Sequence, residues 1–181
     1  MADTAALAQV IPAGAFGMIT LKGDLAATEV AAAVQAATGL TVPQRRRIRW
    51  ADGCGAAWMA PDEVLLIVPA DAVDAAMTAA RDALGAAFVT LADVSDARVA
   101  FRIEGPRADE VLMKLAPVDI ARMEPGEVRR SRAAQVAVAF WRDGAGFTLL
   151  CFRSVAGHVG ELLAAAAAPG GAVLAEGGGG A

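Results

Sequence analysis

EVLLIVPADAV (Glu63–Val73) and GFTLLCFRSVA (Gly146–Ala156) decide the fold between them. Each is a near-continuous apolar run that reaches a small polar residue and turns into an alanine-rich helix. Runs this short, bounded by turn residues, predict buried strands. Asp71 and Ser154 are the expected N-caps of the helices AVDAAMTAARDAL and VAGHVGELLAAAAA, the first closed by Gly85. The same order of elements extends outward from both stretches. FGMITLK (Phe16–Lys22) and RVAFRIE (Arg98–Glu104) predict strands. Gly23-Asp24 turns the first into the helix LAATEVAAAVQAAT, which Gly39 ends, and Gly105-Pro106 turns the second into RADEVLMKLA. A hairpin follows in each half, RRRIRW with EVLLIVP and AAQVAVAFW with GFTLLCF, the latter around Asp143-Gly144. From Gly23 to Gly105 is 82 positions, and from Asp71 to Ser154 is 83. A fixed period of this kind marks a duplicated supersecondary unit. The unit is strand, helix, hairpin, helix, and it predicts an α+β fold, a sheet or pair of sheets with helices on one face. Residues 1–14 are expected as an N-terminal arm. Residues 15–168 are expected as one domain of two pseudo-repeats, about 15–85 and 97–168, and the Gly-rich residues 169–181 as a disordered tail.

The chain has 181 residues, of which 56% are hydrophobic and 20% charged. Alanine accounts for most of the apolar excess over an ordinary soluble protein. No apolar run approaches the ~20 residues of a membrane helix, and Met1–Pro12 lacks the basic flank of a secretory signal. A soluble cytoplasmic protein is the expectation. The net charge of −4 argues against a general nucleic-acid binder. Of 16 basic residues 14 are Arg, the cation suited to fork-like pairing and interface burial. Cys54 and Cys151 are isolated and read as small core side chains. The tail glycines lack the Lys-Ser/Thr of a phosphate loop, and GCGAAW (Gly53–Trp58) is not a dinucleotide fingerprint.

Asp93, Ser95 and Asp96 invite an acid–base or metal reading. The one histidine, His158, lies on a distant predicted helix, so the serine has no base in view. Short polar side chains at such a junction bond local backbone instead, and Asp93 and Ser95 are expected to fix the entry of a strand. His158 itself reads as a surface or packed residue. Asp62 and Glu63 would point to opposite faces of an extended chain, which removes them as a carboxylate dyad. Trp50, Trp58 and Trp141 are core packers or interface anchors. Arg45–Arg49 and Arg129–Arg132 form two basic clusters, each entering the first strand of a hairpin, with Arg45 mapping near Arg129. They read either as paired edges for acidic groups of partner subunits or a polyanion such as a polyglutamyl tail, or as solvated charges that discourage aggregation. Alternation places Arg47 and Arg49 on one face and Ile48 and Trp50 on the other. No catalytic, cofactor-binding or metal-ligating residue is assigned.

WMAPDEVLLI (Trp58–Ile67), DVSDAR (Asp93–Arg98), GPRADEVL (Gly105–Leu112), Asp119-Ile120 and FRS (Phe152–Ser154), in this order and spacing, resemble the gamma subunit family of heterotetrameric sarcosine oxidase. The similarity spans about Phe16 to Ala168 and extends more weakly to the folate-binding aminomethyltransferase fold. Ala60 departs from the glycine that the pattern leads one to expect, and Val155 from an aromatic residue. The resemblance implies a complex with alpha, beta and delta chains that demethylates sarcosine oxidatively to glycine and passes the one-carbon unit to tetrahydrofolate. It implies FAD, FMN, NAD, tetrahydrofolate and zinc in the partner subunits, and no cofactor or active site in this chain. Two other readings share the fold: the equivalent subunit of a related complex such as an N-methylglutamate dehydrogenase, and a free-standing folate-dependent aminomethyltransferase-like protein.

Overall fold

The computed structural model describes residues 5–170. In the first half the chain forms β1 (Gln9–Pro12), β2 (Phe16–Lys22), α1 (Thr28–Thr38), β3 (Ile48–Ala51), β4 (Cys54–Ala60), β5 (Glu63–Pro69) and α2 (Val73–Leu84). The second half repeats the series as β6 (Thr90–Asp93), β7 (Arg98–Glu104), α3 (Ala108–Leu115), β8 (Val128–Ala133), β9 (Val136–Asp143), β10 (Gly146–Phe152) and α4 (Ala156–Ala167). Two five-stranded antiparallel sheets result, in the orders β3-β4-β5-β2-β6 and β8-β9-β10-β7-β1. The duplicated α+β fold read from the sequence is present, and each unit is larger than the pattern predicts. The meander β3-β4-β5 has three strands because the two-residue turn Asp52-Gly53, both residues at positive φ, divides the expected first strand.

The first strand of each unit crosses over. Strand β1 pairs with β7 of the second unit, and β6 pairs with β2 of the first. The exchange is reciprocal down to its register: Gln9↔Glu104 and Pro12↔Phe101 on one side, Thr90↔Lys22 and Asp93↔Ile19 on the other. The Ala13 amide donates to Ala100, and the Val94 amide to Met18, at matching points. The segment read as an arm, 1–14, therefore carries a sheet strand. The tail expected at 169–181 lies outside the described residues from 171 onward.

Alternation sorts the side chains into three cores. Along β5, Val64, Leu66 and Val68 pack under α1 and α2, while Leu65 and Ile67 face the other sheet. Along β9 and β10, Phe140 and Leu149 lie with α3 and α4, while Ala139, Trp141 and Leu150 meet Met18, Leu65 and Ile67 between the sheets. The order of layers is thus helices, sheet, sheet, helices. Burial on both faces is why the central strands read as unbroken apolar runs rather than alternating ones.

The helix starts differ from expectation. Asp71 and Ser154 lie in short 3₁₀ turns, and Ala72 and Val155 stand at the N-caps without a side-chain bond. Asp24 accepts from the Ala26 amide, and α1 begins only at Thr28. A 3₁₀ turn leads directly from β5 into α2 and from β10 into α4, so packing of the apolar face replaces the cap there.

The turn after β8 is strained at a residue with no polar side chain to compensate. Ala134, between β8 and β9, has φ 52°, a conformation that costs an L-residue about 1–2 kcal/mol. Glycine relieves it and gives back part of the gain as unfolded-state entropy. Ala134→Gly is expected to raise stability by about 0.5–1 kcal/mol, seen as a higher urea midpoint at unchanged slope.

Candidate functional site

The two arginine clusters converge where edge strands β3 and β8 meet. Arg47 and Glu127 form a single antiparallel bridge between the sheets. The Ile48 amide donates to Gly126 at 2.9 Å, and the Val128 amide donates to Arg46 at 2.8 Å. A local two-fold therefore relates residues 46–48 to 126–128. This differs from the expected frame: the two-fold makes Pro125, rather than Arg129, the counterpart of Arg45, because the link from helix to meander differs in length between the units. The second cluster lies within β8, whereas Arg45, Arg46 and Arg47 precede β3.

Arginines 45, 46, 47, 122 and 129, with Asp119, Glu124 and Glu127, surround a hollow of about 430 Å³. Arg47 pairs with Glu124 and donates to the Pro125 carbonyl, and Arg129 pairs with Glu127 at 2.5 Å. An adjoining hollow of about 360 Å³ shares Arg45, Arg46 and Arg129 and is floored by Trp58, Met59, Pro117 and Val118. Ile48 is buried and Trp50 stacks toward Trp141, 6.4 Å between ring centres, on the inner face. Arg47 precedes the strand and turns to Glu124, and Arg49 is exposed.

Asp93 and Ser95 are spent on the backbone. Ser95 Oγ accepts from the Met18 amide at 2.9 Å and donates to Asp93 Oδ1 at 2.5 Å. Asp93 Oδ1 also accepts from the Ser95 amide at 2.9 Å. The cluster thus fastens the β6–β7 link to β2. The Ser95 hydroxyl, then the Ser95 amide, holds the Asp93 carboxyl below the usual range. A depressed carboxylate contributes stability above its unfolded value, near 4, and loses it as pH falls through the folded value. Because Asp93 is exposed, solvent keeps the effect small. Asp93→Ala is expected to cost about 1 kcal/mol at pH 6, with the gap from wild type narrowing in urea titrations as the pH is lowered below about 4.

Asp62 and Glu63 diverge as expected. Asp62 reaches Lys22 on the surface at 3.8 Å. Glu63 is only 7% exposed and lies between Arg98 at 3.7 Å and Arg130 at 3.3 Å, from the opposite sheet. Burial, and secondarily the charge of Arg130, lower the basicity of Arg98, while Glu63 opposes them. This clamp joins the sheets and was invisible in sequence, where Glu63 was weighed only against its neighbour Asp62. Also unseen was Arg142 of β9, whose fork meets Asp109 of α3 at 3.1 and 2.8 Å. Among the remaining candidates, His158 is exposed on α4, Trp141 is buried, and Trp50 is 43% exposed at the rim. Cys151 is buried in the core, which pushes its thiol up. Among the described residues no three His, Cys, Asp or Glu side chains converge as metal ligands. No described helix is long and apolar enough to cross a membrane.

Two sheets packed face to face under outer helices, with the arginine-lined junction at one edge, make a duplicated α+β module whose fold aminomethyltransferases share. Aminomethyltransferase T of the glycine cleavage system from Bartonella henselae superposes with a TM-score of 0.63 at 15% identity, over 88% of this chain and 46% of that one. A chain of heterotetrameric sarcosine oxidase from Corynebacterium sp. U-96, solved in complex with pyrrole 2-carboxylate, superposes with a TM-score of 0.83 at 24% identity, over 96% of this chain and 91% of that one. Sarcosine oxidase subunit gamma of Corynebacterium sp. (strain U-96) is 35% identical over 117 residues, 62% of this chain. That match covers 56% of the relative's length. The model of the sarcosine oxidase, gamma subunit family matches residues 22–166. The chain belongs to the sarcosine oxidase gamma subunit family.

Proposed function

We propose that this chain is a noncatalytic structural subunit of a heterotetrameric sarcosine oxidase in the cytoplasm. It supports oxidative demethylation of sarcosine to glycine, with the one-carbon unit passed to tetrahydrofolate. Its alpha, beta and delta partners would carry FAD, FMN, NAD, tetrahydrofolate and zinc. The observation that supports this reading, beside family membership, is where the polar clusters are used. Asp93–Ser95, Glu63–Arg98–Arg130 and Asp109–Arg142 each join one piece of the chain to another. A group already engaged in holding the backbone is poorly placed to move protons on a substrate.

The test is a pull-down from native extract with the full chain as bait, followed by an absorbance spectrum. Recovery of flavoprotein chains that turn over sarcosine, with turnover unchanged when the bait carries Asp93→Ala, is the expected result. A bait that elutes alone overturns the reading. The aminomethyltransferase likeness favours a second reading, a free-standing folate-dependent protein. Tetrahydrofolate binding by the chain without partners would support it.

A further inference from the structure

We infer that the arginine junction of the two sheets seats an acidic segment of a partner polypeptide, an assignment that rests on the subunit reading above. Charge is the first ground. The chain as a whole carries −4, yet five arginines face three carboxylates around the first hollow. Glu124 and Glu127 are engaged by Arg47 and Arg129. Arg45, Arg46 and Arg122 are exposed and have no side-chain hydrogen bond or ion pair among the described residues. Three unengaged guanidiniums around one concavity form a focused positive potential on an otherwise acidic protein.

Backbone geometry is the second ground. Arg46 has φ 61°, and its two-fold counterpart Gly126 has φ 69°. The left-handed conformation is built into this junction on both sides, because each residue's carbonyl accepts the amide two positions after the other. Glycine satisfies it without strain. Arginine at the equivalent point is held against its own backbone preference, a strain that glycine would not carry.

Shape selects the class of ligand. The arginine hollow runs into one floored by Trp58, Met59, Pro117 and Val118 and bordered by Arg45, Arg46 and Arg129. An inorganic anion has no use for the apolar floor, and the net charge of the chain opposes a nucleic acid. A polypeptide that alternates carboxylates with apolar side chains fits both parts. Its carboxylates would take bidentate pairs from Arg45, Arg46 and Arg122.

The experiment uses the full chain and a fluorescein-labelled peptide of three Glu-Glu-Leu repeats, with citrate and a 20-base-pair DNA duplex as competitors. Anisotropy is expected to show peptide binding that weakens with salt. It should fall at least tenfold in the triple variant Arg45→Glu, Arg46→Glu, Arg122→Glu and stay unchanged in Arg81→Glu, an exposed charge on α2. Arg46→Gly is expected to weaken binding while its thermal midpoint equals or exceeds that of wild type, which separates docking from folding. Equal peptide binding by all variants overturns the assignment. So does citrate or DNA competing as well as unlabelled peptide, or Arg46→Gly docking like wild type. In the native pull-down, loss of partners from the triple variant alone supports it. If wild type and triple variant both retain the partners, the junction is not the seat but the subunit reading stands. If wild type retains none, the subunit reading falls with it.

Discussion

Removal of residues 1–13 is expected to lower stability by about 4 kcal/mol, the largest single effect here. Strand β1 is four residues long, but it is the outer strand of the sheet built by the other half of the chain. Leu7, 1% exposed, sits in the core shared by α3 and α4, with Ala8 beside it and Val10 packed against it. The Leu7 amide donates to Ala167 at the end of α4 at 2.9 Å. The backbone at Gly105 approaches so closely that an added Cβ would lie 3.0 Å from the Ala8 Cα. Truncating one such leucine alone costs about 2–5 kcal/mol. The deletion also unpairs the edge of β7, and is offset in part by the backbone entropy that ordering the segment no longer consumes. In a domain of this size the thermal midpoint would fall by about 8–16 °C. Leu7→Ala, at about 3 kcal/mol, separates core loss from strand loss. Because β1 and β6 are exchanged between the halves, the transition should remain single, with fluorescence and far-ultraviolet dichroism coincident. Two resolved transitions in the intact chain, or an unchanged midpoint after deletion, would contradict this account.

The exchange also explains what the sequence displayed and what it concealed. Strands β2, β5, β7, β9 and β10 are central, covered on both faces, and therefore legible as apolar runs such as EVLLIVP and GFTLLCF. Strands β1, β3, β6 and β8 are the four edges of the two sheets, and they carry the residues that keep edges from aggregating. Pro12 ends β1, Asp93 ends β6, and arginines fill β8. These residues erase the apolar pattern on which a strand reading depends. The signal that could have found β1 and β6 is the period itself. Thr90 lies 81 positions after Gln9, close to the 82 that relates Gly23 to Gly105. A repeat frame extended to the N-terminus would have placed a strand in what read as an arm.

At the candidate site the residue types were legible and their partners were not. Arg45–Arg49 and Arg129–Arg132 stand out as clusters in the chain. That they meet depends on a bridge between residues 80 positions apart, Arg47 and Glu127. Arg122 joins the site from a 3₁₀ turn that has no periodic pattern to announce it. The Asp93–Ser95 bond was legible because an aspartate two residues before a serine bonds locally, whereas the reach of Ser95 to the Met18 amide of β2, 77 positions away, was not. Glu63 was misjudged because its environment is set by the opposite sheet.

Arg142 is where these two kinds of information part furthest, and Arg142→Ala is expected to cost about 3 kcal/mol. In sequence it is one more charge at the end of a strand. In the fold its side chain is 16% exposed and fully engaged. Nη1 and Nη2 donate to both Asp109 oxygens, Nε to the Met123 carbonyl at 3.0 Å, and Nη2 also to the Ile120 carbonyl at 3.0 Å. The guanidinium carbon lies 4.6 Å from the Phe147 ring centre. One side chain thus ties α3, the Ile120–Arg122 turn and the approach to β8 onto β9. Breaking a buried pair by removing one partner costs about 3–5 kcal/mol, and the partial exposure of Asp109 places this one at the lower end. Lysine cannot reproduce a planar fork that serves a carboxylate and two carbonyls at once, so Arg142→Lys should recover less than half of the loss. Asp109→Asn should be milder than either, and the Arg142–Asp109 double-mutant cycle should show coupling above 1 kcal/mol. The segment that Arg142 pins, Asp119–Glu127, forms one wall of the arginine junction. Hydrogen exchange across residues 119–127 should therefore accelerate in Arg142→Lys while β4 and β5 stay protected. A lysine variant with wild-type stability and unaltered exchange would show that charge alone, not the fork, holds this wall in place.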